Sequence, residues 1–185
     1  MRSFIIIFLV LAIAAPANAM NSKLVFKTLV SEYSNNGDIH AVAASIRDDV
    51  IVSLEDGTGA NKANQCWADE RSLNASSSEE IDLAGNLSNA FGQTLTFSKV
   101  KAVVIKASAS NASDVEMGGA AANAFASFVK DSSDIILIKP GGLIVLIAPD
   151  ASGFDVSSND LLKMANSGGA AISYEIIVIG EATVS

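Results

Sequence analysis

One cysteine and one histidine in 185 residues remove several kinds of chemistry at the outset. Cys66 alone cannot close an intrachain disulfide, so the fold rests on packing, and the residue reads as a small buried hydrophobe. A zinc site lacks its usual Cys and His donors. A Ser-His-Asp triad would have to use His40, and no G-x-S-x-G elbow accompanies it. Basic residues are scarce: 12 Lys and Arg against 20 Asp and Glu leave a formal charge of −8. That balance argues against nucleic-acid binding, because a phosphate backbone calls for Lys and Arg. Trp67, Tyr33 and Tyr174 are the only Trp and Tyr residues, which makes a stacking platform for sugars thin.

The acidic residues offer little chemistry in compensation. Asp48-Asp49, Asp69-Glu70 and Glu79-Glu80 are adjacent pairs. Neighbours on a strand point to opposite faces, so they read as solvated charges that discourage edge-to-edge aggregation rather than as a glycosidase pair. The Asp-rich turns at Asp131–Asp134 and Asp150–Asp155 could offer oxygens to calcium, but neither matches a 12-residue EF-hand loop, and turn capping is the simpler reading. Asn74-Ala75-Ser76, Asn86-Leu87-Ser88 and Asn111-Ala112-Ser113 fit the glycan acceptor pattern, which matters only in a eukaryotic secretory pathway. No side chain is assigned a catalytic, cofactor-binding or metal-binding role, and no cofactor is expected.

The first 19 residues stand apart. Arg2 gives one positive charge, Phe4 to Ala14 is almost unbroken apolar sequence, and Pro16 precedes Ala17-Asn18-Ala19. That is the pattern of a secretory signal cut before Met20, and its core falls short of the about 20 residues of a spanning helix. A mis-assigned start, with Met20 as the true first residue, is the alternative. Once the leader is removed, no membrane association is expected. Residues 20–49 read as an irregular arm, with Leu24, Val25, Phe26, Leu29 and Val30 as a helix face or irregular strand and Asn35-Asn36-Gly37-Asp38 as a turn.

Residues 50–185 carry short apolar or alternating runs about ten residues apart, with turn chemistry between them. Val50–Glu55 ends at Asp56-Gly57-Thr58-Gly59, and Gln65–Leu73 holds Trp67 as an aromatic anchor. Glu80–Ala84 alternates, and the loop Gly85–Gly92 offers Phe91 as a plug for the core. Thr94–Ala107 alternates first and then becomes continuous at Val103-Val104-Ile105, as in a strand covered on both faces at one end. Asp114–Met117 closes at Gly118-Gly119, and Leu161–Ala165 fits a short strand or one helical turn. Ile135–Ile138 and Leu143–Ala148 flank Lys139-Pro140-Gly141-Gly142, a hairpin signal, and Ile172–Ile179 forms a last strand with Tyr174 offering a polar tip. The rhythm, without a long amphipathic helix, predicts an all-β fold: an antiparallel β-sandwich, jelly-roll-like, with an irregular N-terminal arm. The strands apolar at successive positions need cover on their outer faces from the arm, a loop or another subunit.

From Asp56 onward a series of short motifs appears in order. They are Asp56-Gly57-Thr58-Gly59-Ala60-Asn61, Trp67-Ala68-Asp69-Glu70-Arg71-Ser72-Leu73, Ile81-Asp82-Leu83-Ala84-Gly85, Ala90-Phe91-Gly92 and Lys99-Val100-Lys101-Ala102. Gly118-Gly119-Ala120-Ala121-Ala122-Asn123-Ala124-Phe125, Lys139-Pro140-Gly141-Gly142, Ala148-Pro149-Asp150 and Leu161-Leu162-Lys163-Met164-Ala165-Asn166-Ser167 follow. On these the chain resembles small virion structural proteins of tailed bacteriophages. The resemblance implies a non-enzymatic β-sandwich component of the particle (head decoration, tail or fibre), located in the virion. Its implied partners are a homo-oligomer, a trimer being one form, and other virion proteins. The leader departs from that pattern, since phage particle proteins are normally assembled in the cytoplasm. It suits a prophage descendant or an exported β-sandwich module for surface ligands or carbohydrate in the periplasm or medium.

Overall fold

The computed structural model describes the backbone at residues 7–11, 20, 22–36, 41–85 and 87–185, and side chains at 20, 22, 51–85 and 87–185. Thirteen strands make up the described chain: β1 (Ile7–Leu11), β2 (Ser22–Asn36), β3 (Ala41–Leu54), β4 (Gln65–Leu73), β5 (Ser77–Asp82), β6 (Leu87–Ser88), β7 (Thr94–Ala107), β8 (Val115–Gly118), β9 (Ile135–Ile138), β10 (Leu143–Ile147), β11 (Phe154–Asp155), β12 (Leu161–Asn166) and β13 (Ile172–Val184). No helix among them is long and apolar enough to cross a membrane.

The body is an antiparallel β-sandwich. Sheet I has the order β4-β13-β7-β10, and the short β6 and β11 also pair with β7. Sheet II has the order β5-β12-β8-β9. Among the eight main strands, every consecutive pair except β8 and β9 lies in opposite sheets. The period-2 patterns explain which faces meet. Leu95, Phe97, Val103, Ile105 and Ala107 of β7 face Leu162 and Met164 of β12 and Val115 and Met117 of β8 in one buried cluster. Phe125, Phe128 and Phe154 close one part of it, with ring centroids 5.6–6.4 Å apart in tilted and edge-to-face contacts. Leu161–Asn166 is a strand and not a helical turn, because its alternating burial matches a sheet face.

Three sequence expectations change. Lys139-Pro140-Gly141-Gly142 does not join a hairpin: among the described residues β9 pairs only with β8 and β10 only with β7, so this turn is a corner between sheets. Its local chemistry is still that of a turn, with Gly141 at φ 73° and Gly142 N–H bonded to the Lys139 carbonyl at 2.7 Å. Phe91 does not plug the core; it is 87% exposed, and Leu87 is buried there instead. The loop is shaped by polar bonds, since Asn89 Oδ1 accepts from both Phe91 N–H and Gln93 N–H.

The third change is the arm. Ser22–Asn36 and Ala41–Leu54 form a regular antiparallel ribbon, with one register shift between Thr28 and Ser31. The apolar spacing of Leu24 to Val30 fits a helix face as well as a strand, and pairing with the β-branched run of β3 decides for the strand. β3 also runs through the expected boundary between residues 49 and 50. β1, inside the leader-like segment, pairs antiparallel with Ser22–Phe26 of β2. At the base of the ribbon, Met20, Val52, Leu54 and Ala63 cover Ala102, Val104, Ile147, Ile177 and Ile179 on the outer face of sheet I. The arm and the following loop thus supply part of the cover that the continuous apolar runs require.

Candidate subunit interface

The sites considered from sequence do not come together. His40 lies outside the described residues, as do the side chains of Asp48 and Asp49. Among the described residues, no group of three His, Cys, Asp or Glu side chains is placed to hold a metal. Both Asp-rich turns close on themselves. Asp131 Oδ1 accepts from Ser133 N–H and Oγ, and Asp150 Oδ1 accepts from Ser152 and Gly153 N–H. These backbone bonds hold both carboxyls below the usual range. Asn111 is buried, and its amide is engaged by Ser173 N–H and C=O at 2.8 and 2.9 Å. Asn64 does the same to Ala182 at 2.8 and 3.0 Å, so two side-chain amides pair with β13 as a neighbouring strand would. Cys66 is half-buried beside the outer-face cluster, and burial pushes its thiol up to about 11. Trp67 is 6% exposed and Tyr174 1%, so neither belongs to a surface stacking platform.

Two ionic groups were not legible as a unit in the sequence. Tyr174 on β13 donates its hydroxyl to Glu79 Oε1 on β5 at 2.7 Å, while Arg71 on β4 binds the other oxygen of Glu79 and Asp69 Oδ2 at 3.0 Å. This cluster links sheet I to sheet II. Burial and the Glu79 carboxylate push the Tyr174 phenol well above its ordinary range. Tyr174→Phe is expected to cost about 1.5–3 kcal/mol in a urea melt, the scale of a hydrogen bond to a charged group. An unchanged midpoint would show that the link carries no stability.

The second group is buried. β13 steps past Ser98 and Lys101 at two register shifts, so these are extra residues on β7. The extra residue Lys101 is fully buried on the outer face of sheet I, with Nζ 3.1 Å from Glu181 Oε1 and 2.5 Å from the Asp150 carbonyl. Gly59 N–H donates to the same Glu181 oxygen at 2.9 Å. Burial opposes ionisation of Glu181, but the Gly59 bond and the Lys101 ammonium outweigh it, and its carboxyl stays below the ordinary range. A lysine inside the apolar run Val100–Ile105 marks the buried charge in the sequence but not its partner. The pair fastens two turns to the sheet.

The surface feature with the clearest potential for contact is one edge of the sandwich. β9 ends sheet II and β10 ends sheet I, and neither strand contains a charged residue. Ile135 is 50% and Leu137 55% exposed, and Leu143 is also exposed. The opposite edge strands are different: β4 carries Asp69, Glu70 and Arg71, and β5 carries Glu79, Glu80 and Asp82. Charges on one edge and none on the other are the usual marks of a protected and an unprotected edge.

No protein-family model matches this chain, and no curated protein does. A solved structure that resembles it is the solution NMR structure of a de novo designed double-stranded beta-helix, 11% identical, covering 60% of this chain and 96% of the designed one at a TM-score of 0.33. The sandwich and its edges are therefore understood from their own geometry.

Proposed function

We propose that the chain is a non-enzymatic structural protein that works through contacts between subunits, as the resemblance to tailed-phage particle proteins implies. The observation that carries this reading is β-structure that extends beyond the sandwich it partly covers. Among the described residues the β2–β3 ribbon pairs with β1 and itself but with neither sandwich sheet. Its strands run about 45 Å at the usual rise per residue, and past Phe26 only two described strands remain, which alone are marginal in water. A neighbouring subunit would supply the missing cover. We read the crossing of consecutive main strands between sheets, at every step except β8 to β9, as the eight-strand jelly roll, an architecture shared by capsid and lectin domains. Purified from expression of the full-length gene, the protein is expected to sediment as a homo-oligomer at micromolar concentration, and deletion of the ribbon should weaken that assembly. A parent protein that stays monomeric over that range overturns the reading.

One contact favours a second reading, the exported binding module. Met20 N–H donates to Asp56 Oδ1 at 2.9 Å. A cut after Ala19 would turn that nitrogen into an ammonium beside a carboxylate, at the place where the signal pattern sets the cut. Cell fractionation with mass spectrometry of the N-terminus separates the readings. A chain starting at Met20 in the periplasm or medium supports export, and an uncleaved cytoplasmic chain removes it.

A further inference from the structure

We infer that the uncharged edge joins two copies of this chain about a two-fold axis, through antiparallel pairing of β10 with β10 centred on Val145. This rests on the assembly reading and names the contact. The ladder geometry shows which backbone groups are available. Ala107 N–H bonds the Gly142 carbonyl and Ala148 N–H bonds the Lys101 carbonyl, both at 2.9 Å. In an antiparallel ladder such bonds fall on alternate residues, so 142, 144, 146 and 148 face β7. The N–H and C=O groups of Leu143, Val145 and Ile147 therefore point to the open edge, where no described strand meets them.

Those three positions are self-complementary. Turned about Val145, Val145 meets its own copy and Leu143 meets Ile147 on both sides. Every outward backbone group of the strand then finds a partner, and every cross-strand pair is apolar. The same axis, normal to the sheets, brings the exposed edge of β9 toward its copy, so both layers of the sandwich can continue across the contact. Charge points to a second copy as the occupant. A chain of net charge −8 meets itself with least repulsion where neither strand carries charge, and this edge satisfies that while the opposite edge does not. A two-fold contact of this kind uses one patch twice.

The test uses the full-length protein with Cys66→Ala to remove the native thiol. At a two-fold pair the Cα atoms lie about 5.5 Å apart, within disulfide reach. Val145→Cys is expected to cross-link to a covalent dimer under mild oxidation, whereas Leu143→Cys, opposite Ile147, should not. Val145→Lys, checked for retained thermal unfolding, should shift the sedimenting species from dimer to monomer. An oligomer that survives Val145→Lys, or a three-fold assembly without the Val145→Cys cross-link, overturns the edge proposal and leaves the assembly reading standing. A monomeric parent overturns both.

Discussion

Lys101→Met is expected to destabilise the protein by about 3–5 kcal/mol, because it leaves Glu181 buried without its counter-charge. At about 2–4 °C per kcal/mol for a domain of this size, the melting temperature should fall by roughly 10 °C. The pair is shielded from water, with side-chain exposures of 0% and 8%, so little solvent screening weakens the effect. The double variant Lys101→Met/Glu181→Gln should recover more than half of the loss. Gln stays neutral and still accepts from Gly59 N–H, so no orphan charge remains. The pH dependence has a defined sign. Glu181 is held below its ordinary value, so its contribution is present above about pH 4.3, the reference value for a free glutamate. It is lost as pH falls through the lower native value. The double variant should lack that part of the acid-side slope. Equal melting temperatures for parent and Lys101→Met would show that the pair contributes nothing.

Gly180→Ala is expected to be comparably damaging, at about 3 kcal/mol or more. Gly180 lies at a register shift where β13 meets β7. A Cβ there would overlap the Lys99 carbonyl oxygen and stand 3.0 Å from Val100 Cα. Both obstacles are backbone and neither can rotate aside. Relief would require moving the bulge that places Lys101, so this substitution should also loosen the ion pair. Gly169→Ala is the control: nothing lies within 4 Å of its added Cβ, and it should leave the urea midpoint within a few tenths of a molar. Similar midpoints for the two variants would contradict the close approach.

Much of the sandwich was legible because its strands alternate. Gln65–Leu73 is recovered residue for residue as β4 and Thr94–Ala107 as β7. The change from alternating to continuous apolar sequence in β7 reports real cover, since Val104 packs under the base of the ribbon. Turn chemistry is less informative about partners. Pro-Gly-Gly bends the chain in the same way whether the next strand pairs with the last one or crosses to the other sheet. Phe91 was misplaced for a related reason: an aromatic flanked by a glycine can be presented by a tight polar turn as readily as it can be buried. The Lys101–Glu181 pair was hidden because a bulge changes the face of a strand without a signature of its own. The open edge was half legible. The lack of charge in Ile135–Ile138 and Leu143–Ile147 was plain, but only the topology makes both of them edges.

The place of β13 bears on how the chain reaches its fold. It is the last of these strands to be synthesised, yet it lies between β4 and β7 in the middle of sheet I. Until it arrives, β4 has no partner in its own sheet and β7 lacks its longest one. Nearly every pairing in the body joins segments distant in sequence, a topology that folds slowly because loops must close before contacts reward them. The nascent chain should therefore remain open until β13 has emerged, whichever partner it later meets. A ribosome-bound or truncated product ending before Ile172 would be protease-sensitive throughout the sandwich, and release of the final segment would convert it in one cooperative step. That delay would suit a polypeptide threaded through a membrane channel before folding, and it equally keeps the uncharged edge of β9 and β10 from forming while synthesis is under way.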